Sequence, residues 1–397
     1  MSRTAADNLS RKAAIVGIGA TEFSKDSGRS ELQLAVEAIL HALDDAGLSP
    51  NDVDGMCTFT MDTNPEVFIA QALGMGDQTF FSRIHYGGGA GCATIQQAVM
   101  AVTSGVADVV VCYRAFNERS GLRLGSGQLA DNTALNTENT RYSWVAPFGL
   151  RTPASWVAMY ARRYMHLYGA TSEAFGHVSV AARKHAATNP AAHFYKRPIT
   201  LADHQASPWI AEPLRLLDCC QETDGGQALI VTTTERARTL KQKPAVIAAA
   251  AQGYARQQHP MTSFYREELD STPEMDVIAR QLWATSGLTQ KDIQTAVIYD
   301  HFTPLVLMQL ESLGFCKKGE AKDFVRDGRI EIGGELPINT NGGQLGEAYL
   351  HGMNGIAEAV RQVRGSAVNQ VTDVENVLVT AGTTVPSSAL ILCQDRA

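Results

Sequence analysis

The feature that most constrains the fold of this chain is an internal duplication. The segment Gly47-Leu-Ser-Pro-Asn-Asp-Val53 is matched by Gly287-Leu-Thr-Gln-Lys-Asp-Ile293. The run Ile95-x-x-Ala-Val-x-x-Val102 is matched in the same way by Ile356-x-x-Ala-Val-x-x-Val363. The paired segments follow one another in the same order, and an ordered repeat of this length indicates two copies of one structural unit.

Within the first copy, strand-like and helix-like segments alternate. Residues 31–46 carry apolar side chains at helical spacing and stop at Gly47, which is typical of a helix with a glycine C-cap. The other elements predicted there are a strand at 13–19, a strand near 56–60, a helix from 87 to about 103 and a strand at 107–113. In the second copy, a strand-like run at 330–338 leads through a glycine-rich loop to a helix-like run at 356–363.

This alternation predicts an α/β fold made of two halves. We place the N-terminal half at residues 1–235 and the C-terminal half at residues 236–397. The first half contains a segment outside the repeat, from about residue 116 to residue 217.

This inserted segment is rich in aromatic residues. Trp156, Tyr160 and Tyr164 recur every four residues and therefore share one face of a predicted helix. One interpretation is an apolar face packed on the core or on a partner subunit. The other is the wall of a large apolar substrate pocket.

The composition argues against several classes of protein. The chain has 397 residues, a formal net charge of −7 and a pI near 5.8, so we expect no nucleic-acid-binding surface. Its seven cysteines are scattered, without a Cys-x-x-Cys motif or a zinc-like spacing, and we expect no metal site. We see no secretory signal and no apolar run of membrane-spanning length, so we expect a cytoplasmic location without membrane association.

Three motifs carry a resemblance to a known family. Asp218-Cys-Cys-x-x-Thr-Asp-Gly225 resembles Asp-Cys-Cys-x-x-Ser-Asp-Gly, and Tyr299-Asp-His-Phe-Thr303 resembles His-Asp-Cys-Phe-Ser. Asn339-x-x-Gly-Gly343, which continues to Gly355, resembles an Asn-Pro-x-Gly-Gly loop that ends in Gly-His-Pro. With the duplication and the insertion, these motifs resemble the thiolase superfamily over nearly the whole chain, in particular its sterol-carrier thiolases and lipid-transfer proteins. The resemblance implies two duplicated βαβαβαββ-type halves in a layered αβαβα arrangement, with a loop-domain insertion in the first half.

The residues on which thiolase chemistry depends are missing from the matching positions. The family's nucleophilic cysteine falls at Gly88, which has no side chain that could attack a thioester. Its two histidines fall at Tyr299 and Tyr349, and its second cysteine has no counterpart in residues 380–383. We therefore expect no acyl transfer through a cysteine thioester. A changed reaction is favoured over a lost one, because each phenol keeps a proton donor and acceptor at the end of a planar ring.

Retro-aldol cleavage of a β-hydroxyacyl-CoA is a reaction that needs no nucleophile. A base removes the hydroxyl proton, the Cα–Cβ bond breaks, a ketone or aldehyde leaves, and an acid protonates the thioester enolate. Tyr299 and Tyr349 are the candidate acid and base. Tyr349 is favoured as the base, and the reverse assignment stays open. An unperturbed phenol has a pKa near 10, so a base role requires a neighbouring group that favours phenolate.

Other residues are candidates to support this pair. His301 and His351 each lie two residues from one of the tyrosines and are candidates to tune it or to bind an oxyanion, although both also fit ordinary polar loop positions. Asn341, the backbone of Gly343 and Gly382 are candidates to bind the thioester oxygen.

The pattern is similar to the steroid side-chain-cleaving aldolases of the thiolase superfamily, which have two tyrosines at the matching positions. The similarity implies a 17-hydroxy steroid acyl-CoA as substrate, cleaved to a 17-keto steroid and a short acyl-CoA such as propionyl-CoA. It also implies a homodimeric core and a small partner with an OB-fold and a zinc ribbon, in a two-plus-two heterotetramer. No cofactor is expected in this chain beyond the coenzyme A of the substrate, and zinc is expected only in the partner.

Two alternative functions remain open at this point. One is a non-catalytic subunit that kept the fold and binds acyl-CoA or lipid. The other is a thiolase resembling acetyl-CoA acetyltransferases that uses Cys92, about one helical turn beyond Gly88, as its nucleophile.

Overall fold

The structure is a computed structural model that describes residues 9–85, 87–126, 137–259, 263–383 and 387–396. The described residues form a nine-stranded sheet and a separate two-stranded sheet. The strands are β1 (Ala13–Ala20), β2 (Gly55–Phe59), β3 (Phe80–Ile84), β4 (Val109–Asn117), β5 (Trp209–Ala211), β6 (Leu214–Arg215), β7 (Asp224–Thr233), β8 (Ala245–Gly253), β9 (Thr295–Val297), β10 (Asn376–Ala381) and β11 (Ser387–Gln394).

The strand order of the large sheet repeats itself about its centre. The first half runs β3-β2-β4-β7-β1, and an antiparallel pair between β1 and β8 joins it to β8-β11-β10-β9. In the first half β2 is parallel to β3 and β4, and β7 is antiparallel to β4 and β1. In the second half β10 is parallel to β9, and β11 is antiparallel to β10 and β8. The duplication predicted from the sequence is therefore confirmed in the directions and order of the strands.

The helices pack on both faces of this sheet. They are α1 (Glu31–Ala46), α2 (Glu66–Leu73), α3 (Gly91–Ser104), α4 (Thr137–Val145), α5 (Pro153–Tyr168), α6 (Ser172–Thr188), α7 (Leu201–Ala206), α8 (Thr234–Ala237), α9 (Pro273–Ser286), α10 (Thr303–Leu313), α11 (Ala321–Phe324), α12 (Gly343–Gly346) and α13 (Met353–Arg364). In the part of the chain that the structure describes, no helix is long and apolar enough to cross a membrane.

Helices α3 and α13 form an inner layer between the two halves. Helix α3 contacts β2, β4 and β7 of the first half and β8 and β11 of the second, and α13 likewise contacts strands of both halves. Both helices are buried on nearly all sides, as expected for helices enclosed between sheet layers. Helices α1 and α9 cover the outer faces of the first and second halves. The predicted layered αβαβα architecture is confirmed.

Local sequence signals account for both ends of helix α1. Helix α1 begins after Ser30, whose hydroxyl accepts a hydrogen bond from the backbone N–H of Gln33. It ends at Gly47, which adopts the left-handed conformation with φ of 74°. The helix predicted over residues 31–46 is therefore confirmed.

The prediction of a strand over residues 330–338 was wrong. This segment runs through turns, and within it only Ile338 forms a bridge, to Ala296 beside β9. A Cβ atom at Gly334 would lie 2.2 Å from the carbonyl oxygen of Gly328, so the chain folds back on itself too tightly for an extended strand. The prediction followed the apolar residues at the two ends and gave too little weight to the glycines between them.

The insertion, of which residues 127–136 lie outside the described part, contributes α4 to α7 and the hairpin β5–β6. Trp156, Tyr160 and Tyr164 lie buried on α5. The Tyr160 hydroxyl accepts a hydrogen bond from a backbone N–H, and Tyr164 donates one to Glu311. Trp156 instead lines the cavity described below. Tyr160 and Tyr164 therefore fit the first interpretation, an aromatic face packed within the protein. Trp156 fits the second, because it forms part of a cavity wall.

Candidate active site

A cavity of about 600 Å³ lies between the insertion and the loops at one end of the large sheet. Its floor contains Gly88 from the first half and Tyr299, His301, Tyr349 and His351 from the second. These residues are far apart in the sequence and were suggested for different reasons. The fold brings them together in one cavity.

Gly88 stands at the position of the missing nucleophile, and the hydroxyl of Tyr299 fills the space beside it. A Cβ atom on residue 88 would lie 1.8 Å from the Tyr299 hydroxyl oxygen and 2.7 Å from Cζ. Gly382, with φ of 65°, packs from the other side, where its own Cβ would lie 2.4 Å from Cα of Gly89. The site can therefore hold the phenol or a side chain on residue 88, but not both.

The two tyrosines form a hydrogen-bonded pair, with 3.3 Å between their hydroxyl oxygens. The backbone N–H of Tyr299 donates to Thr380, and that of Tyr349 donates to Thr223, both at 2.9 Å. Burial raises the pKa of Tyr299 well above 10. Burial and the neighbouring Tyr299 raise the pKa of Tyr349 in the same direction. Both phenols are therefore protonated at rest, and a proton can pass between them.

A histidine ring lies beside each tyrosine. The ring centroids of Tyr299 and His301 are 4.7 Å apart, and those of Tyr349 and His351 are 4.8 Å apart. Burial lowers the pKa of His301 to about 3. Burial and the nearby guanidinium of Arg114 lower the pKa of His351 well below 6.5. Both imidazoles are neutral near pH 7, so they supply hydrogen bonds rather than the positive charge that would favour a phenolate.

Two residues predicted to bind the thioester oxygen are engaged within their own loop. The Asn341 side-chain amide donates to Glu347, and its oxygen accepts a hydrogen bond from the backbone N–H of Gly343 at 3.1 Å. A Cβ atom at Gly343 would lie 2.0 Å from a carboxylate oxygen of Asp300. Neither residue lines the cavity. The structure therefore places them where they shape the loop that carries Tyr349, and not where they would face a thioester.

The cysteines offer no ready nucleophile. Cys92 is buried in α3, and burial raises the pKa of its thiol far above the usual 9. Cys219 and Cys220 do line the cavity, but burial raises the pKa of both thiols as well. Because a cysteine attacks as its thiolate, the structure argues against a thiolase that uses Cys92.

Glu118 is a cavity residue that the sequence reasoning missed. It follows β4, is 2% exposed, and its Oε2 atom has no hydrogen-bond partner among the described residues. Burial raises the pKa of this carboxyl group well above 4.5. The available signal was an acidic residue directly after a buried strand, since the ends of strands are where sites in α/β folds are built.

Basic side chains also line the cavity. Arg183 packs over the ring of Phe194, with 3.4 Å from its guanidinium carbon to the ring centroid, and its buried Nε has no hydrogen-bond partner among the described residues. The other basic side chains of the lining are Lys25, Arg119, Arg123 and Arg151. These cations are suited to bind an anionic group such as a phosphate.

Comparison with protein families shows which family this chain belongs to. Residues 13–235 match the family described as thiolase, N-terminal domain, and residues 256–394 match the thiolase C-terminal domain-like family. The chain belongs to the thiolase superfamily. The family predicted from the sequence motifs is thus confirmed, in a thiolase-superfamily protein that has no cysteine at residue 88.

Curated relatives of this thiolase-superfamily chain carry names from two reaction classes. It is 68% identical to the 17-hydroxy-3-oxo-4-pregnene-20-carboxyl-CoA lyase of Mycobacterium tuberculosis, over 97% of this chain and 100% of the relative. It is 66% identical to the steroid side-chain-cleaving aldolase of Thermomonospora curvata, over 97% of this chain and 98% of the relative. It is 30% identical to the acetyl-CoA acetyltransferase of Methanothermobacter thermautotrophicus, over 90% of this chain and 92% of the relative.

Solved structures agree with this placement of the thiolase-superfamily chain. The Ltp2-ChsH2(DUF35) aldolase matches with a TM-score of 0.94 and 65% identity, over 98% of this chain and 99% of the matched chain. Human mitochondrial 3-ketoacyl-CoA thiolase matches with a TM-score of 0.68 and 16% identity, over 98% of this chain and 100% of the other. This second likeness concerns the fold alone.

Proposed function

We propose that this chain is a lyase that cleaves the side chain of a 17-hydroxy steroid acyl-CoA by a retro-aldol reaction. The observation that carries the proposal is the tyrosine pair with 3.3 Å between its hydroxyls, one of which fills the space that a side chain on Gly88 would need. An acid and a base without a nucleophile are what a retro-aldol reaction requires. Relatives of 66% and 68% identity are named as an aldolase and a lyase, which agrees with this reaction.

The substrate follows from the name of the more similar of these two relatives, 17-hydroxy-3-oxo-4-pregnene-20-carboxyl-CoA lyase. In that compound the 17-hydroxyl is β to the thioester carbonyl. Breaking the bond between C17 and C20 gives a 17-keto steroid and propionyl-CoA.

In the proposed mechanism, the reactive form of the enzyme is the small fraction in which Tyr349 is a phenolate, because the raised pKa keeps this phenol protonated in most molecules. The phenolate accepts the proton of the 17-hydroxyl. The C17–C20 bond then breaks, the oxygen forms the ketone, and the bonding electron pair passes into the thioester as an enolate. Tyr299 donates its proton to C20 and becomes the phenolate. Transfer of a proton from Tyr349 to Tyr299, across the 3.3 Å hydrogen bond, restores the starting state. No proton is gained or lost in the cycle.

The enolate oxygen carries the charge that develops in this reaction, so hydrogen-bond donors aimed at it lower the barrier. Of the candidates predicted from the sequence, His301 and His351 line the cavity with neutral rings. Gly382 is not itself part of the lining, but it packs against the backbone of Gly88 and Gly89, which are. We assign the oxyanion site to these residues in place of Asn341 and Gly343.

The cavity suits a large apolar ligand with a charged end. Its volume of about 600 Å³ lies within the usual range for ligand pockets, about 300–1,000 Å³. Its apolar lining includes Trp156, Phe194, Ile210, Leu216 and Phe302. We propose that the basic side chains of the lining bind the coenzyme A phosphates.

We further propose that the chain acts together with a DUF35 partner subunit, because the solved aldolase of 65% identity is named Ltp2-ChsH2(DUF35), after two components of which one is such a subunit. An OB-fold and zinc ribbon in that partner, with zinc bound there only, and a two-plus-two assembly on a homodimeric core are parts of the same proposal. The expected cellular location is the cytoplasm.

The test of the proposed function is product analysis with the co-expressed complex. The chain and its DUF35 partner are incubated with 17-hydroxy-3-oxo-4-pregnene-20-carboxyl-CoA, and products are followed by mass spectrometry. We expect equal amounts of the 17-keto steroid and propionyl-CoA. Tight binding without product would instead favour the non-catalytic acyl-CoA-binding subunit.

Phenylalanine variants test the roles of the tyrosines. Tyr299→Phe and Tyr349→Phe should each lower kcat by about 10²–10⁴-fold, because each removes one proton-transfer group. Thermal unfolding should change little, since only a hydroxyl is lost. Tyr254→Phe, at an exposed tyrosine outside the cavity lining, is the matched control. Near-normal turnover of Tyr349→Phe would contradict its assignment.

A further inference from the structure

Arg114 is a fully buried arginine that contacts the cavity residue His351 at the Nδ1 side of its ring. It lies on β4 with none of its side chain exposed. Its Nε–H donates a hydrogen bond to Nδ1 of His351 across 3.4 Å, and one terminal nitrogen donates to the carbonyl of Met61 at 3.1 Å. The guanidinium also packs over the ring of Phe116, 4.2 Å from its centroid. The side chain is therefore held in place from several directions.

The charge of this arginine is only loosely compensated. Its carboxylate neighbour Asp62 is 3.4 Å away and also accepts hydrogen bonds from the backbone of Ala115 and of Asn64. The second terminal nitrogen of Arg114 has no hydrogen-bond partner among the described residues. Burying a guanidinium that is so incompletely paired is unfavourable, because the charge loses its hydration without full compensation. An apolar residue would pack in this core at lower cost, so the contact with His351 calls for a functional explanation.

The chemistry of the contact determines the tautomer of His351. A guanidinium has only N–H donors and no acceptor, so Nδ1 must present its lone pair to Arg114. In a neutral imidazole the single proton then resides on Nε2. The ring edge that bears Nε2 faces the cavity floor, because the adjoining Cδ2 lies 3.4 Å from the Cβ position of Gly88.

We propose that Arg114 is a positioning residue that holds His351 with its proton on Nε2, so that His351 donates a hydrogen bond into the cavity. The acceptor is the thioester oxygen, which becomes the enolate oxygen as the carbon–carbon bond breaks. This identity of the acceptor rests on the proposed function, but the tautomer does not.

The other titratable groups around His351 do not compete for this role. His301, from the loop after β9, is neutral because burial lowers its pKa to about 3. Tyr299 and Tyr349 have raised pKa values and remain protonated. Arg114 is thus the charged group that acts on His351, and its charge opposes formation of an imidazolium.

The direct test is ¹⁵N NMR of the complex with labelled histidine, recorded without substrate. Protonated and unprotonated ring nitrogens resonate far apart, and His351→Gln identifies the signals of His351. In the unaltered protein we expect Nε2 to be protonated and Nδ1 unprotonated at pH 7.5. In Arg114→Met, which removes all donors, we expect mixed tautomers and a higher pKa that still lies below the ordinary value, because the ring stays buried. A wild-type signal with the proton on Nδ1 would overturn the proposal.

Kinetics supply the second readout. Arg114→Met should lower kcat at pH 8 by about 10- to 100-fold, less than the 10²–10³-fold typical of losing an oxyanion donor outright, because a neutral His351 still places its proton on Nε2 part of the time. The loss should shrink as the pH falls towards the pKa of His351 in the variant, because protonation of the ring restores a proton on Nε2. Arg114→Lys, whose ammonium also only donates, should restore part of the activity and of the Nε2 proton.

Arg364→Met is the matched control for the loss of a largely buried arginine. Arg364 is paired with Asp45 at 2.8 Å and does not line the cavity. This variant should lose stability but keep the His351 tautomer and the pH profile of kcat. An Arg114→Met protein with the wild-type tautomer and pH profile would refute the positioning role. If the wild-type complex gives the expected NMR spectrum but does not turn over the substrate, the proposed function is refuted and the tautomer assignment stands.

Discussion

Replacing Gly88 by alanine is a sharp test of the site, because it adds one carbon atom where Tyr299 now lies. The new Cβ would be 1.8 Å from the phenol oxygen and 2.7 Å from Cζ, whereas ordinary contacts begin near 3.4 Å. The phenol oxygen must therefore withdraw by about 1.6 Å, or the 3-10 turn at Gly88–Ala90 must move.

Both effects can be given a magnitude. Displacing a reacting group by about 1 Å can cost about 10²-fold in rate, so kcat should fall by at least about that factor. Overpacking a well-filled site costs about 1–3 kcal/mol, which should appear as a lower free energy of unfolding. Gly88→Cys should produce the same collision, and we expect it to lose lyase activity without gaining thiolase activity.

The assay is turnover of the complex with the steroid acyl-CoA, together with denaturant unfolding. Gly253→Ala is the control, since its Cβ would meet only side-chain atoms at an ordinary 3.6 Å. In a Tyr299→Phe background, Gly88→Ala should destabilise less, because the contact at 1.8 Å is gone while that at 2.7 Å remains. Wild-type kcat in Gly88→Ala would refute the placement of the Tyr299 hydroxyl at the reacting centre.

Three further predictions follow from the titratable groups. Because the pKa values of Tyr299 and Tyr349 are raised, the phenolate fraction is small at pH 7, and log kcat/KM should rise with pH through pH 9. A profile that is flat over pH 7–9 and falls only at lower pH would point instead to Glu118 as the base, since burial raises the pKa of its carboxyl group. Cys92→Ala should keep full turnover, and iodoacetamide should leave Cys92 unmodified in the folded complex, because the thiol is buried and its pKa is raised; a dead variant would restore the thiolase alternative. Burial raises the pKa of Glu347 from 4.5 to about 7, so its contribution to stability is complete below pH 4.5 and is lost as the pH rises through 7. Glu347→Gln should therefore flatten the fall in unfolding free energy between pH 5 and pH 8, and an equally steep fall in both proteins would contradict this.

The sequence by itself was enough to predict the architecture and the family. The duplicated segments, the glycine that ends α1 and the buried apolar runs are local signals, and local signals survive in a single sequence. The motifs around Tyr299 and Tyr349 located two residues that the structure brings within hydrogen-bonding distance. The same local reasoning failed at residues 330–338, where close backbone packing between turns overrides the apolar pattern.

Only the tertiary structure determined which distant positions contact one another. Arg114 and His351 are 237 residues apart, and no pattern in the sequence indicates that Arg114 donates a hydrogen bond to His351. Asn341 had the right chemistry for an oxyanion site, but its amide is bound to Glu347 within the loop. The direction of a side chain depends on which neighbours satisfy its hydrogen bonds, and those neighbours are assembled only when the two halves pack together.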